Sequence, residues 1–231
     1  MTTASPFLSG RVISGRGAVI AALLLTAGAM IAVNQLPQQS QQTLLQEGGM
    51  IETLAVVGYA VCIALMLLCW GLRQTRVRWY FPVMAALLAG RELDLDKLPF
   101  TEGLLKSRQY IGDAVPVGER TVALAILATI IGTTLTLLRR EAPAFLRGLR
   151  SRRPAAYAVL FALALIIISK TIDGLGRKLA GFGIDASQSL TQSAFLIEEI
   201  SETGIPLMLA TAIALTTATA KTASHSNAAL P

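Results

Sequence analysis

The chain is poor in charge, in histidine and in cysteine. Charged residues make up 15% of its 231 positions, where a soluble domain carries about a quarter. That deficit leaves too little polar surface for an ordinary soluble domain. The one histidine, His225, lies in the last few residues. A His-ligated zinc, a Ser-His-Asp triad and a haem held by paired histidines are therefore excluded elsewhere in the chain. No P-loop or dinucleotide fingerprint is present, so no nucleotide signature exists. The cofactor is otherwise left open by the sequence, and a divalent cation is compatible with it. Cys62 and Cys69 fall seven residues apart inside one apolar run. That spacing is too long for a disulfide on a straight helix, and both read as small buried hydrophobes.

What is present is hydrophobic: 53% of residues, with a mean hydropathy of +0.59. A membrane-spanning helix needs about 20 apolar residues. Uncharged runs of that kind predict an all-α fold, a polytopic membrane helix bundle of about six transmembrane segments. The expected spans are 17–34, 52–72, 79–98, 117–138, 155–172 and 190–220, within one domain over 1–231. The third is unusual. Residues 79–90 are apolar but reach only about 18 Å as a helix, short of a core of about 30 Å. Extension to Leu98 brings in Arg91, Glu92, Asp94, Asp96 and Lys97. The segment therefore either re-enters or carries charge in its outer half. Trp79 and Tyr80 stand where an aromatic belt is expected. Pro206 is expected to kink the last helix near Gly204, and Asp185 to cap its start.

The distribution of charge sets the orientation. One side of this arrangement collects twelve of the twenty Lys and Arg residues, from Arg11 and Arg16 through Arg73, Arg76, Arg78 and the run Arg139 to Arg153, to Lys221. Its only acid is Glu141. The other side holds eight basic and thirteen acidic residues. Cytoplasmic loops carry the excess of Lys and Arg, so both termini are expected inside (N-in/C-in). The inner arginines would meet anionic lipid headgroups, with the lipid bilayer as the general partner. Because the basic residues lie between apolar runs, not on a soluble face, no nucleic-acid partner is expected. Small residues, Ala27, Gly28, Ala29, Ala210, Ala214 and Ala218, permit close helix packing, within the bundle or against membrane protein partners.

Ionisable residues inside membrane helices are costly and mark functional sites by default. They gather at the outer ends of the third, fifth and sixth spans. Glu92 and Asp96, four apart, would share a helix face. The Asp94-x-Asp96 pair is the candidate metal position, since hard cations take carboxylate oxygens. Lys106 and Arg108, with Tyr110 beside them, suit a phosphate. Lys170 and Asp173 follow the fifth span. Glu198, Glu199 and Glu202 open the sixth, and three carboxylates this close need a cation, a proton or basic partners. With Arg91 and Lys97 these make thirteen residues, the candidate ligand site.

The strings Arg91-Glu92-Leu93-Asp94-Leu95-Asp96-Lys97-x-x-Phe-Thr, Ser169-Lys170 with Asp173, and Glu198-Glu199-x-x-Glu202 resemble a group of uncharacterised bacterial multipass inner-membrane proteins. The resemblance runs from Arg91 to Pro206. It implies a bacterial inner membrane with the acidic side toward the periplasm, and no activity. Three functions stay open at this level: binding or passage of a small charged or lipid-like ligand at a periplasm-facing polar site, a membrane-embedded enzyme acting on a lipid headgroup, or a structural subunit of a membrane complex.

Overall fold

The computed structural model describes residues 15–46 and 48–228, with side chains to residue 217. Arg11 and the side chain of Lys221 lie outside that description. The described residues form helices and turns without a strand. In chain order these are α1 (Gly15–Asn34), α2 (Gln38–Leu45), α3 (Met50–Val77), α4 (Tyr80–Glu92), α5 (Arg108–Ile111), α6 (Val117–Arg150), α7 (Pro154–Ile172), α8 (Leu175–Ala180) and α9 (Gln188–Ala228). Five helical stretches are long and apolar enough to cross a membrane: α1, the stretch Gln38–Val77 that contains α3, then α6, α7, and α9 as far as Thr217. The protein is thus an all-α, multipass membrane bundle.

The third predicted span is not one helix. α4 has 13 residues, about 20 Å at 1.5 Å each, and cannot cross alone. It stops because Asp94 turns left-handed (φ 50°), while the amide of Leu95 reaches back to the carbonyl of Gly90 at 2.9 Å. This is a Schellman ending with aspartate at the position usually held by glycine, and aspartate tolerates that conformation better than most. Asp96 therefore leaves the face it was expected to share with Glu92. The chain still runs from one end of the bundle to the other here. Tyr80 bonds Glu141 at the start of α4, and Thr101 bonds Glu119 beyond its end. Those two glutamates stand about 33 Å apart along α6. A short helix plus a lobe of turns covers that distance.

α9 is the central helix, packed against α1, α3 and α7. Half of its apolar stretch is buried, against 11% for α6, which lies at the edge. Close approach is made by Gly58 and Gly204. A Cβ on Gly58 would stand 2.8 Å from the Pro206 ring, and one on Gly204 would stand 2.8 Å from Thr26. Of the small residues expected to do this, Ala27, Gly28, Ala29 and Ala214 are exposed, Ala210 packs beside Cys62, Met66 and Ile213, and the side chain of Ala218 lies outside the described residues. α9 runs unbroken through Pro206, whose carbonyl accepts the Cys62 thiol at 3.3 Å. Cys62 is buried as expected, and Cys69 is partly so. The break falls instead in α3, at Gly71 (φ 74°). There Thr75 Oγ1 donates to the carbonyls of Met66 and Gly71, which satisfies groups that the break exposes.

Other boundaries moved for local reasons. α6 continues past Arg140 and through Pro143 to Arg150, so most of the expected connector is helix. α9 is capped by Ser187, whose Oγ accepts the amide of Leu190, and not by Asp185. The polar stretch after α1 forms α2, from which Gln41 Nε2 donates to the carbonyls of Asn34 and Leu36, closing the end of α1. Trp79 is exposed, but Tyr80 is buried between α4 and α6, with its hydroxyl donating to Glu141 at 2.5 Å and Arg140 over its ring. The belt reading holds for neither face of Tyr80: it is a helix-to-helix strut. Tyr80→Phe should lower stability by about 1 kcal/mol, the worth of one hydrogen bond. Thermal unfolding in detergent would measure it.

Candidate functional site

The ends of α4 and α7 meet around one carboxylate of α9. Glu202 lies on α9, two residues before the tight crossing at Gly204. That crossing holds α9 against α1 and α7, and so brings Glu202 beside the last turn of α7. Ser169 Oγ, fully buried there, donates to Glu202 Oε1 at 2.6 Å. Lys170 Nζ lies 3.3 Å from the same oxygen. From the last turn of α4, Arg91 Nη2 donates to it as well and lies 3.1 Å from Glu92 Oε1. The acids are the buried members: side-chain exposure is 4% for Glu92 and 10% for Glu202, against 32% for Arg91 and 43% for Lys170. A buried ion must be paired and hydrogen-bonded to offset its desolvation, and Glu202 meets that with two hydrogen-bond donors, Ser169 and Arg91, and a second cation in Lys170.

Around this centre the remaining carboxylates are less well satisfied. Asp173 pairs with Lys170 at 3.4 Å. Glu198 sits within electrostatic range of Asp173, Lys170 and Glu202. Glu199 faces Glu52, Glu198 and Glu202 in the same way. Glu198 and Glu199 are half-buried, and neither has a hydrogen-bond or ion-pair partner among the described residues. Two cations, Arg91 and Lys170, thus serve five carboxylates. Lys178 instead closes the end of α7, donating to the carbonyls of Lys170 and Thr171.

No family model, curated protein or solved structure matches this chain.

Beneath the cluster lies Tyr59 of α3, fully buried, its hydroxyl without a hydrogen-bond partner among the described residues and within electrostatic range of Arg91, Glu92 and Glu202. It packs with Ala22, Ala162, Leu165, Ile205 and Met208 in the main apolar core. Sequence reasoning passed over Tyr59, and named Ser169 only within a motif string, without a role. The signal for Tyr59 was a lone tyrosine in the middle of an apolar span, where a phenol hydroxyl normally needs a partner.

Of the expected site residues, Arg91, Glu92, Lys170, Asp173, Glu198, Glu199 and Glu202 gather here. Asp94, Asp96, Lys97, Lys106, Arg108 and Tyr110 belong to the lobe between α4 and α6. Asp94 pairs with Lys97 at 2.6 Å, Arg108 with Glu102 at 3.5 Å, and the Tyr110 hydroxyl bonds the Leu104 carbonyl at 2.5 Å. Asp96 and Lys106 line a cavity of about 370 Å³ with Phe100 and Thr101. Arg108 is thereby committed to a carboxylate inside the lobe. Among the described residues no three His, Cys, Asp or Glu side chains are grouped to hold a metal ion, and Asp94 is turned toward Lys97.

The lobe is held by Glu119. Its carboxylate accepts the Thr101 amide at 2.6 Å and hydroxyl at 2.9 Å, and the buried Gln109 Nε2 at 2.7 Å. Gln109 in turn accepts the Glu102 amide at 2.9 Å. This network gives Glu119 and Gln109 a framing role that sequence position alone did not reveal.

Proposed function

We propose that the protein binds a small ligand bearing a positive charge at the acidic end of the bundle, in a bacterial inner membrane with the arginine-rich end in the cytoplasm. The observation that carries this reading is the surplus of carboxylate. Glu198 and Glu199 stand about one turn from an already satisfied Glu202, half-buried and without an ion-pair partner among the described residues. A cationic group seated there would relieve their mutual repulsion and offset their desolvation. The orientation rests on the bias of Lys and Arg.

Binding is favoured over passage. Below the ion cluster the bundle is closed by Tyr59, Ala162, Leu165 and Met208, and further on by Cys62, Met66 and Ile213. An ion moving on would have to enter a stretch lined mainly by apolar side chains, at a cost of several kcal/mol. The cluster therefore reads as the floor of a site open on one side.

The test is thermal unfolding of the detergent-purified chain with 1,4-diaminobutane, ethanolamine, Mg²⁺ or Ca²⁺ as probes. A ligand at 100 times its Kd adds about 2.7 kcal/mol to stability. At least one probe should raise the unfolding temperature, and Glu198→Gln with Glu199→Gln should abolish that rise. If no probe stabilises the wild-type chain at millimolar concentration, the reading fails.

A further inference from the structure

The opposite, arginine-rich end carries a second feature, independent of the carboxylate cluster. A groove of about 440 Å³ runs between α1 and α7. Its α1 wall is Arg16, Val19, Ile20 and Leu23, spaced as a single helical stripe. Its α7 wall is Pro154, Tyr157 and Phe161, with Arg152 just before the helix. Both stripes put an arginine at the same end and apolar side chains over the next two turns. Arg16 and Arg152 are exposed, and neither has an ion-pair partner among the described residues. The slot is cationic at its mouth and apolar along its length.

The backbone at Arg152 adds an independent observation. The amide of Arg153 bonds the Gly148 carbonyl at 2.9 Å and that of Arg152 bonds Leu149 at 3.0 Å. This is a Schellman ending of α6 with Arg152 at its left-handed position, φ 53°. Glycine is the usual residue there, because any Cβ is strained. At the corresponding position of α4 the chain uses aspartate, which tolerates the conformation. Arginine has no such excuse. A strained residue that persists where an unstrained one would fold equally well points to a use for its side chain.

We propose that this groove is a binding site for one anionic phospholipid. Its phosphate is held between the guanidinium groups of Arg16 and Arg152, and an acyl chain lies along Ile20, Leu23, Tyr157 and Phe161. Guanidinium forks match phosphate oxygens in a way that an ammonium does not. A zwitterionic lipid would bring a second cation up to two arginines, which disfavours it. A free phosphate would leave the apolar walls unused.

The full chain in neutral detergent is titrated with phosphatidylglycerol, phosphatidylcholine or glycerol phosphate, and lipid retention is followed by native mass spectrometry beside thermal unfolding. Phosphatidylglycerol should be retained and should raise the unfolding temperature, and the other two should do neither. Arg16→Gln and Arg152→Gln should each weaken phosphatidylglycerol about tenfold, the loss expected for one charge-assisted contact. Arg147→Gln, a neighbouring arginine outside the groove, should leave it unchanged. Arg152→Gly should move the two readouts apart: higher stability in lipid-free detergent from relief of strain, and loss of the phosphatidylglycerol effect. Equal losses in Arg147→Gln would mean diffuse attraction to charge and would overturn the site. So would an undiminished lipid effect in Arg152→Gly, or glycerol phosphate acting as well as the lipid.

Discussion

Glu202→Ala should destabilise the bundle by about 3 kcal/mol, the low end of the range for breaking a buried ion pair. The low end applies because Arg91 and Lys170 are partly exposed and keep second partners in Glu92 and Asp173. The loss has two sources. Arg91 and Lys170 lose the oxygen on which both converge, and the buried hydroxyl of Ser169 is left without its acceptor, itself a cost of about 1–3 kcal/mol. Glu202→Gln should fall between, since an amide oxygen can still accept from Ser169 but offers no charge to the two cations. The combined variant Arg91→Gln with Glu202→Gln should be milder than the sum of the single changes, because charge is removed from both sides together. Chemical or thermal unfolding in one detergent measures all of these. A Glu202→Ala protein that unfolds with wild-type stability would mean the cluster contributes nothing to holding α4, α7 and α9 together.

The second large effect is steric. Gly204→Val should cost about 1–3 kcal/mol, the usual penalty of overpacking. Even the first added carbon would stand 2.8 Å from Thr26 Cγ2 and 3.0 Å from Leu165 Cδ1. Leu165 can swing aside. Thr26 cannot do so freely, because its hydroxyl is bonded to the Ala22 carbonyl at 3.0 Å. Relief therefore requires α9 to move away from α1, and Glu202, two residues earlier, moves with it. The variant should lose stability and, with it, any stabilisation by cationic probes. Gly58→Ala is the matched comparison: its Cβ meets the rigid Pro206 ring at 2.8 Å, so it should disturb the α3–α9 contact without touching α1. A Gly204→Val chain with undiminished probe response would separate the crossing from the site.

Much of the architecture was legible in the order of residues because the bilayer imposes a simple rule. A helix must satisfy its own backbone groups and present about 20 apolar side chains to cross, and five stretches do so. The third segment could be read only as a conflict between length and charge. The resolution depended on one backbone dihedral, at Asp94, and on side chains of α6 that receive Tyr80 and Thr101. No periodicity announces either. The reach of α6 beyond Arg140 was hidden for a related reason: arginines and a proline resemble the end of a helix unless the following turns have something to pack on, and Gly148 against Ala156 is such a contact.

For the candidate site, residue chemistry identified acids and bases that belong near one end but could not sort them. Seven gathered around or beside Glu202. Six went to the lobe, where each described ion pair is local. Sorting depends on which carboxylate each cation reaches in space, and the left-handed turn at Asp94, two residues past the end of α4, is enough to carry Asp96 and Lys106 into the lobe. Tyr59 and Ser169 were given no site role because a hydroxyl in an apolar run looks the same whether it faces lipid or a buried carboxylate.

The amino-acid order by itself determined that the chain is helical, that it crosses a membrane several times, and that most of its Lys and Arg lie between different spans from nearly all of its acids. Those properties follow from hydropathy and charge summed along short stretches, and need no knowledge of neighbours. Only the tertiary structure decided that Glu202 is the shared partner of Arg91, Lys170 and Ser169, and that α9 is central while α6 lies at the edge. Those facts depend on where Gly58 and Gly204 let helices touch, and contact between residues more than a hundred positions apart is set by packing in three dimensions.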